Sequence, residues 1–283
     1  MTNLGTRSSL SLALLLALVV PAGARGQEWE NVSASRKLSG EDAVDVRIKY
    51  GVGRFQVRPG DPGTLYRMDL RYDSERFEPV VDYSRGRLEL GVETRGRNLN
   101  FKGDNDGGEM TLELSPAVPM DLVLEFGAVR ANLDLGGLHL TDLELSTGAS
   151  ESSVDFSRPT LGRVRTAEFH VGAADFEALN LGNLRADRLE VEAGVGEVTL
   201  DFGGELPQDM RVTVSMGLGA LELRVPDGVG VSLEKDSFLT SLDASDFTQD
   251  GDMYYSSNWE TAGRRLTVEV EAAFGSIRIV RVR

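Results

Sequence analysis

A glycine set in the middle of a strand-like pattern, recurring roughly every 22 residues, constrains this chain more than any other feature. Six segments carry the pattern: residues 122–135, 143–156, 167–179, 189–202, 212–225 and 266–279, with an earlier copy over residues 46–57. In each, apolar and polar residues alternate, a glycine and a small residue intervene, and alternation resumes. The central glycines Gly127, Gly148, Gly172, Gly194 and Gly217 are separated by 21, 24, 22 and 23 residues, and Gly275 marks the bend of the last segment. A period of two means a half-buried strand, not a helix. A strand that bends sharply in mid-course needs a residue free of Cβ clashes, which is the structural role assigned to these glycines. One unit cannot bury its own apolar face, so several must stack. The predicted fold is therefore all-β, a stacked-coil β-solenoid. Patterning alone leaves parallel and antiparallel pairing open, and an antiparallel β-sandwich with glycine-rich bends is the alternative.

The flanks read differently. Residues 64–114 predict a meander of antiparallel strands at Thr64–Tyr72, Phe77–Tyr83, Arg87–Glu93 and Met110–Leu114, separated by turn residues such as Arg85 and Gly86. Residues 226–265 interrupt the repeat with Pro226, Asp227 and Gly228 and a polar, aromatic stretch. Exposed strand edges at the ends of a stack invite aggregation, so both regions are expected to act as end caps. Residues 1–26 predict a secretory signal peptide: Arg7, an apolar run of 11 residues from Leu10 to Val20, the breaker Pro21, and small residues Ala22, Gly23 and Ala24 at the cleavage site. The run is too short to span a bilayer, which takes about 20 residues, and no later stretch is apolar enough. The mature chain is expected to be exported, to the periplasm, the cell envelope or the outside of the cell.

Charge and composition remove several chemistries. With 30 Lys plus Arg against 45 Asp plus Glu, the net charge is −15, and cleavage after Ala24 or Gly26 would take it to −16 or −17 by removing Arg7 and then Arg25. Such a surface argues against nucleic acid and against adsorption to anionic membranes; it suits a solvated, self-repelling protein. The absence of cysteine excludes disulfides, zinc thiolates, iron–sulfur clusters, a cysteine nucleophile and a lipidated N-terminal cysteine.

The remaining motifs favour structure over catalysis. The pairs Gly51/Gly53, Gly194/Gly196 and Gly217/Gly219 look like the opening of a phosphate loop, but they recur between strands and lack the third glycine or lysine. The two histidines, His139 and His170, lie in no nucleophile-elbow motif, and two are too few for most catalytic zinc sites. No cofactor is expected. Acidic pairs of the glycosidase kind are numerous in composition, yet the acids alternate with apolar residues as solvent-facing positions do. Asp104, Asp106 and Glu109 form an oxygen-rich turn that could take calcium, although the spacing of an EF-hand is absent and such turns are common without metal. Tyr254, Tyr255 and Trp259 are the best candidate binding surface, set against the reading that they plug the end of the core.

The order and spacing of these features resemble a known family. The Gly-x-Gly bends, the stretch Val225–Val229, and Tyr254, Tyr255 and Trp259 leading into residues 266–279 look like the toast-rack and LiaF-like (cell-wall-active antibiotic response) β-repeat family, and are similar to the bacterial repeats called putative adhesins. On this resemblance residues 27–118 correspond to an N-terminal toast-rack-like module and residues 119–283 to a LiaF-like or adhesin-like repeat domain with its cap at 226–265. The resemblance implies a stacked β fold, an envelope location and no catalytic residues. LiaF-like proteins proper carry N-terminal transmembrane helices and restrain a sensor kinase; this chain has a signal-peptide pattern instead, so that partnership is not carried over. The expectation is a non-enzymatic exported module for structure, adhesion or envelope stress response, with an envelope protein or a polysaccharide as partner and with end-to-end stacking as a route to homo-oligomers. The alternative is a polysaccharide-active enzyme using paired carboxylates along a groove.

Overall fold

The computed structural model describes residues 28–95 and 107–283; the expected signal peptide, and Asp104 and Asp106, lie outside them. In chain order the strands are β1 (Trp29–Lys37), β2 (Val44–Pro59), β3 (Thr64–Asp73), β4 (Phe77–Ser84), β5 (Arg87–Thr94), β6 (Gly108–Leu114), β7 (Met120–Asp134), β8 (Leu140–Thr147), β9 (Glu151–Asp155), β10 (Val164–Leu179), β11 (Ala186–Asp201), β12 (Met210–Pro226), β13 (Val229–Asp243), β14 (Phe247–Asp250), β15 (Met253–Ser256) and β16 (Arg264–Val282). No α-helix occurs among the described residues.

The repeat units pair in parallel. Each long strand bends at its central glycine into a leading and a trailing arm, and both arms bond to the same neighbours, so that β2, β7, β8 with β9, β10, β11 and β12 form successive in-register rungs. The antiparallel sandwich is thereby excluded for the repeats. Register converts the sequence pattern into continuous apolar rows. On the leading arms Val46, Leu122, Leu143, Ala167, Leu189, Val212 and Val268 are consecutive partners, all buried. On the trailing arms Val57, Leu133, Val154, Ala178, Leu200, Leu223 and Ile279 do the same. The arms of a rung face each other across this core: the rings of Phe169 and Phe176, one on each arm of β10, lie 5.5 Å apart. Each fully buried Val, Leu or Phe contributes about 1.5–3 kcal/mol. None of it is available to a rung without neighbours.

Two ladders of glycine permit the bend. Rungs stack so closely at the first that a Cβ on Gly172 would lie 2.7 Å from the Gly148 carbonyl oxygen, and one on Gly194 would lie 2.8 Å from that of Gly172. Gly127, Gly148, Gly172, Gly194 and Gly217 all belong to this ladder, each facing the glycine of the rung before. The second ladder lies two residues further on, where Gly53, Gly196, Gly219 and Gly275 adopt φ of 119°, 138°, 150° and 141°, a region hostile to L side chains. Gly275 therefore sits in the second ladder; its strand places Ala273 at the first.

Both ends depart from the expected arrangement. Only β4 and β5 of the anticipated meander are consecutive antiparallel partners. β5 and β6 instead pair in parallel with the two arms of β2, completing another rung, because their alternating faces (Leu88 and Leu90; Met110, Leu112 and Leu114) need the same core. β3 then pairs antiparallel with β6, and β1 with β3. At the far end β16 is inserted between β12 and β13. Within 226–265 only the hairpin of β14 and β15 leaves the repeat, since β13 runs parallel to β16 along both arms. Pairing continues without a break across residue 118, through β2 and β7.

Candidate functional site

A furrow of about 1220 Å³ follows the first glycine ladder across the rungs, from Lys49 and Val92 near one end to Asp236 at the other. The bend creates it: from β2 to β12 the ladder position carries no side chain, while two residues earlier every rung presents an outward polar group. These groups are register partners in a single file, Lys49, Glu125, Ser146, His170, Glu192, Ser215, Glu271 and Asp236. The Lys49 ammonium lies 3.3 Å from the Glu125 carboxylate, and His170 Nδ1 lies 3.3 Å from Glu192 Oε2. Strand spacing of about 4.8 Å makes the furrow long and shallow, with its polar groups spread along it and not converging on one point. It can receive an extended partner.

Tyr50 is buried beside the furrow, and burial pushes its phenol well above the usual range. Among the described residues its hydroxyl has no hydrogen-bond partner.

The aromatic candidates lie elsewhere. Tyr254, Tyr255 and Trp259 are half-buried in and beside β15. Tyr254 packs against the core, the Tyr255 and Trp259 rings are 5.8 Å apart, and the Arg265 guanidinium sits 5.1 Å from the Trp259 ring. They line no part of the furrow. Of the calcium candidates only Glu109 is described; it is half-buried on β6, in register with Arg54 and Arg71. No group of three or more His, Asp or Glu side chains placed to hold a metal occurs among the described residues. His139 is in the turn before β8, and His170 points outward from the buried Phe169. Six of the eight residues of the furrow file were within reach of the sequence: from Lys49 to Ser215 it is the residue two places before each glycine of the first ladder, whereas Glu271 and Asp236 stand before no such glycine.

A second acidic file lies further out. Asp45, Asp121 and Asp142 are neighbours on three adjacent strands. Desolvation, followed by the charges of Asp142 and Asp45, raises the Asp121 carboxyl above its ordinary 3.8, with Arg165 opposing. A raised carboxylate pKa means that the folded chain holds the proton more tightly than the unfolded one, so this contribution to stability is present at low pH and is lost as pH rises through the folded value. Asp121→Asn is therefore expected to stabilise the protein at pH 7 by about 0.2–0.5 kcal/mol, a small figure because the side chain is exposed and screened. The gain should vanish near pH 3; urea unfolding at both pH values checks it.

In-register parallel rungs, a glycine-floored furrow and outward polar files define an all-β repeat protein. The chain belongs to the toast-rack family: the model for the N-terminal domain of toast_rack, DUF2154, matches residues 24–166 and again 166–224. Among solved structures it is similar to a putative cell adhesion protein from Clostridium sporogenes, with 18% identity and a TM-score of 0.49 over 90% of this chain and 100% of that one. It is also similar to putative adhesins from Bacteroides fragilis (11% identity, TM-score 0.31, over 89% of this chain and 97% of that one) and Parabacteroides distasonis (12%, 0.33, over the same 89% and 97%). None of the curated proteins compared is significantly similar to it.

Proposed function

We propose that this chain is an exported, non-enzymatic module of the cell envelope or cell exterior, a stacked-coil solenoid whose working part is its outer surface, in adhesion or in envelope stress response. The furrow supports this reading most directly. Its polar groups come one per rung in a single file, which offers contacts along the length of the stack. The signal-peptide pattern of residues 1–26 supports export. No helix among the described residues is long and apolar enough to cross a membrane.

The test is fractionation of producing cells with mass spectrometry of the N-terminus, followed by cross-linking in intact cells. The expected result is a chain processed after Ala24 or Gly26, outside the cytoplasm, and cross-linked to an envelope component. An unprocessed cytoplasmic chain would overturn the export reading. Polysaccharide cleavage that Glu271→Gln abolishes would overturn the non-enzymatic one.

A further inference from the structure

The position that follows the first ladder is small on the middle rungs, at Ala128, Ala149 and Ala173, and carries a large apolar side chain on the four strands at one end of the stack. Val195, Leu218, Phe274 and Leu239 occupy this position on β11, β12, β16 and β13, and are successive register partners. They are 51, 50, 46 and 61% exposed, and they account for four of the six exposed large apolar side chains among the described residues, the others being Val81 and Leu161. Scattered apolar residues on a surface need no explanation, but a contiguous stripe marks a contact site. Acid flanks the stripe. On the furrow side the neighbouring file contributes Glu192, Glu271 and Asp236; on the other side β11 contributes Glu197. Neither flanking file contains a Lys or Arg over these four strands.

We infer that this stripe is the docking site for a basic amphipathic α-helix of a partner protein, lying across the strands along the furrow. The inference rests on reading the chain as an interaction module, and adds the partner's class. Two observations choose the occupant. The first is charge: a second copy would bring its own acidic file against this one, and an anionic membrane would be repelled likewise, whereas Lys and Arg flanking an apolar helical face meet three carboxylates on the furrow side and Glu197 on the other, where Ala220, Ser276 and Ser241 complete the file. The second is pitch. Rungs repeat about every 4.8 Å, and a helix advances about 5.4 Å per turn, so one apolar residue per turn meets one rung over four rungs. An extended peptide places same-face side chains nearly 7 Å apart and falls out of step after two.

The probe is a fluorescent 18-residue Leu/Lys amphipathic helix titrated onto the protein, beside a scrambled peptide of equal composition and one with Glu for Lys. Binding of the amphipathic peptide is expected, with neither control binding comparably. Leu218→Ser with Leu239→Ser should weaken it about thirtyfold, from two half-exposed leucines at roughly five- to sixfold each. Leu161→Ser, an exposed leucine away from the stripe, should leave it unchanged. Equal binding of the scrambled peptide, insensitivity to the double variant, or a dimer that the double variant dissolves would each overturn the inference. A photo-crosslinker at Leu218 in producing cells separates the two levels. A defined adduct whose partner carries no basic amphipathic helix sinks this assignment and leaves the interaction-module reading standing.

Discussion

Gly196→Ala is expected to destabilise the protein by about 3–5 kcal/mol. Two costs add. The residue has φ of 138°, where an L side chain costs of order 1–3 kcal/mol. The new Cβ would also overlap the carbonyl oxygen of Ala174 on the preceding rung. That oxygen is backbone, held in the parallel ladder between β10 and β11, so it cannot swing aside as a flexible side chain could. Forcing the rungs apart locally is overpacking, at a further 1–3 kcal/mol or so. For a domain of this size each kcal/mol lowers the melting temperature by about 2–4 °C, so a fall of roughly 10 °C is expected. Gly263→Ala is the control, since a Cβ there meets nothing within 4 Å and its φ is not in the left-handed region. If the two variants melt together, the second glycine ladder is not what fixes the bend.

The glycine arithmetic carries most of the fold because a close backbone approach leaves a mark in sequence: nothing but glycine fits where Gly172 meets Gly148. Alternation carries the core for the same reason, since Val46 or Leu200 can only face one way. Pairing partners were less accessible. β5 and β6 look like ordinary meander strands, and only their position against the two arms of β2, with thirteen residues intervening between them, makes them a rung. β13 does not read as a repeat because its bend lacks the glycine pair, with Leu239 and Thr240 standing opposite Phe274 and Gly275. The site was half legible. The middle residues of the Gly-x-Gly pairs, Val195 and Leu218, stand in the sequence as bends, and nothing local distinguishes them from core residues. Their exposure follows from a bend that turns two consecutive residues outward and breaks the alternation.

The insertion of β16 leads to the second large effect: removal of residues 264–283 should dismantle the far end of the stack and leave the near end folded. In a stack that grows in chain order, a terminal strand is the outermost one, and its loss trims an edge. Here β16 lies between β12 and β13, bonded to both along two arms. Its removal takes away Leu266, Val268, Val270, Ile277 and Ile279, each no more than 7% exposed, or about 8–15 kcal/mol of burial as an upper estimate. That matches the whole stability of a typical domain. It also strips the parallel partner from β13, whose buried Val231 and Leu233 depend on that rung. Because rungs interact mainly with their neighbours, the loss should stay local. Hydrogen exchange is expected to show protection retained from β2 to β10 and lost over β12 to β15, and limited proteolysis should cut first within residues 227–263. A synthetic peptide of residues 264–283 should restore protection by re-entering the gap. Full protection of β13 without that peptide would mean that β13 can seat directly on β12, and the inserted position of β16 would then be dispensable to the fold.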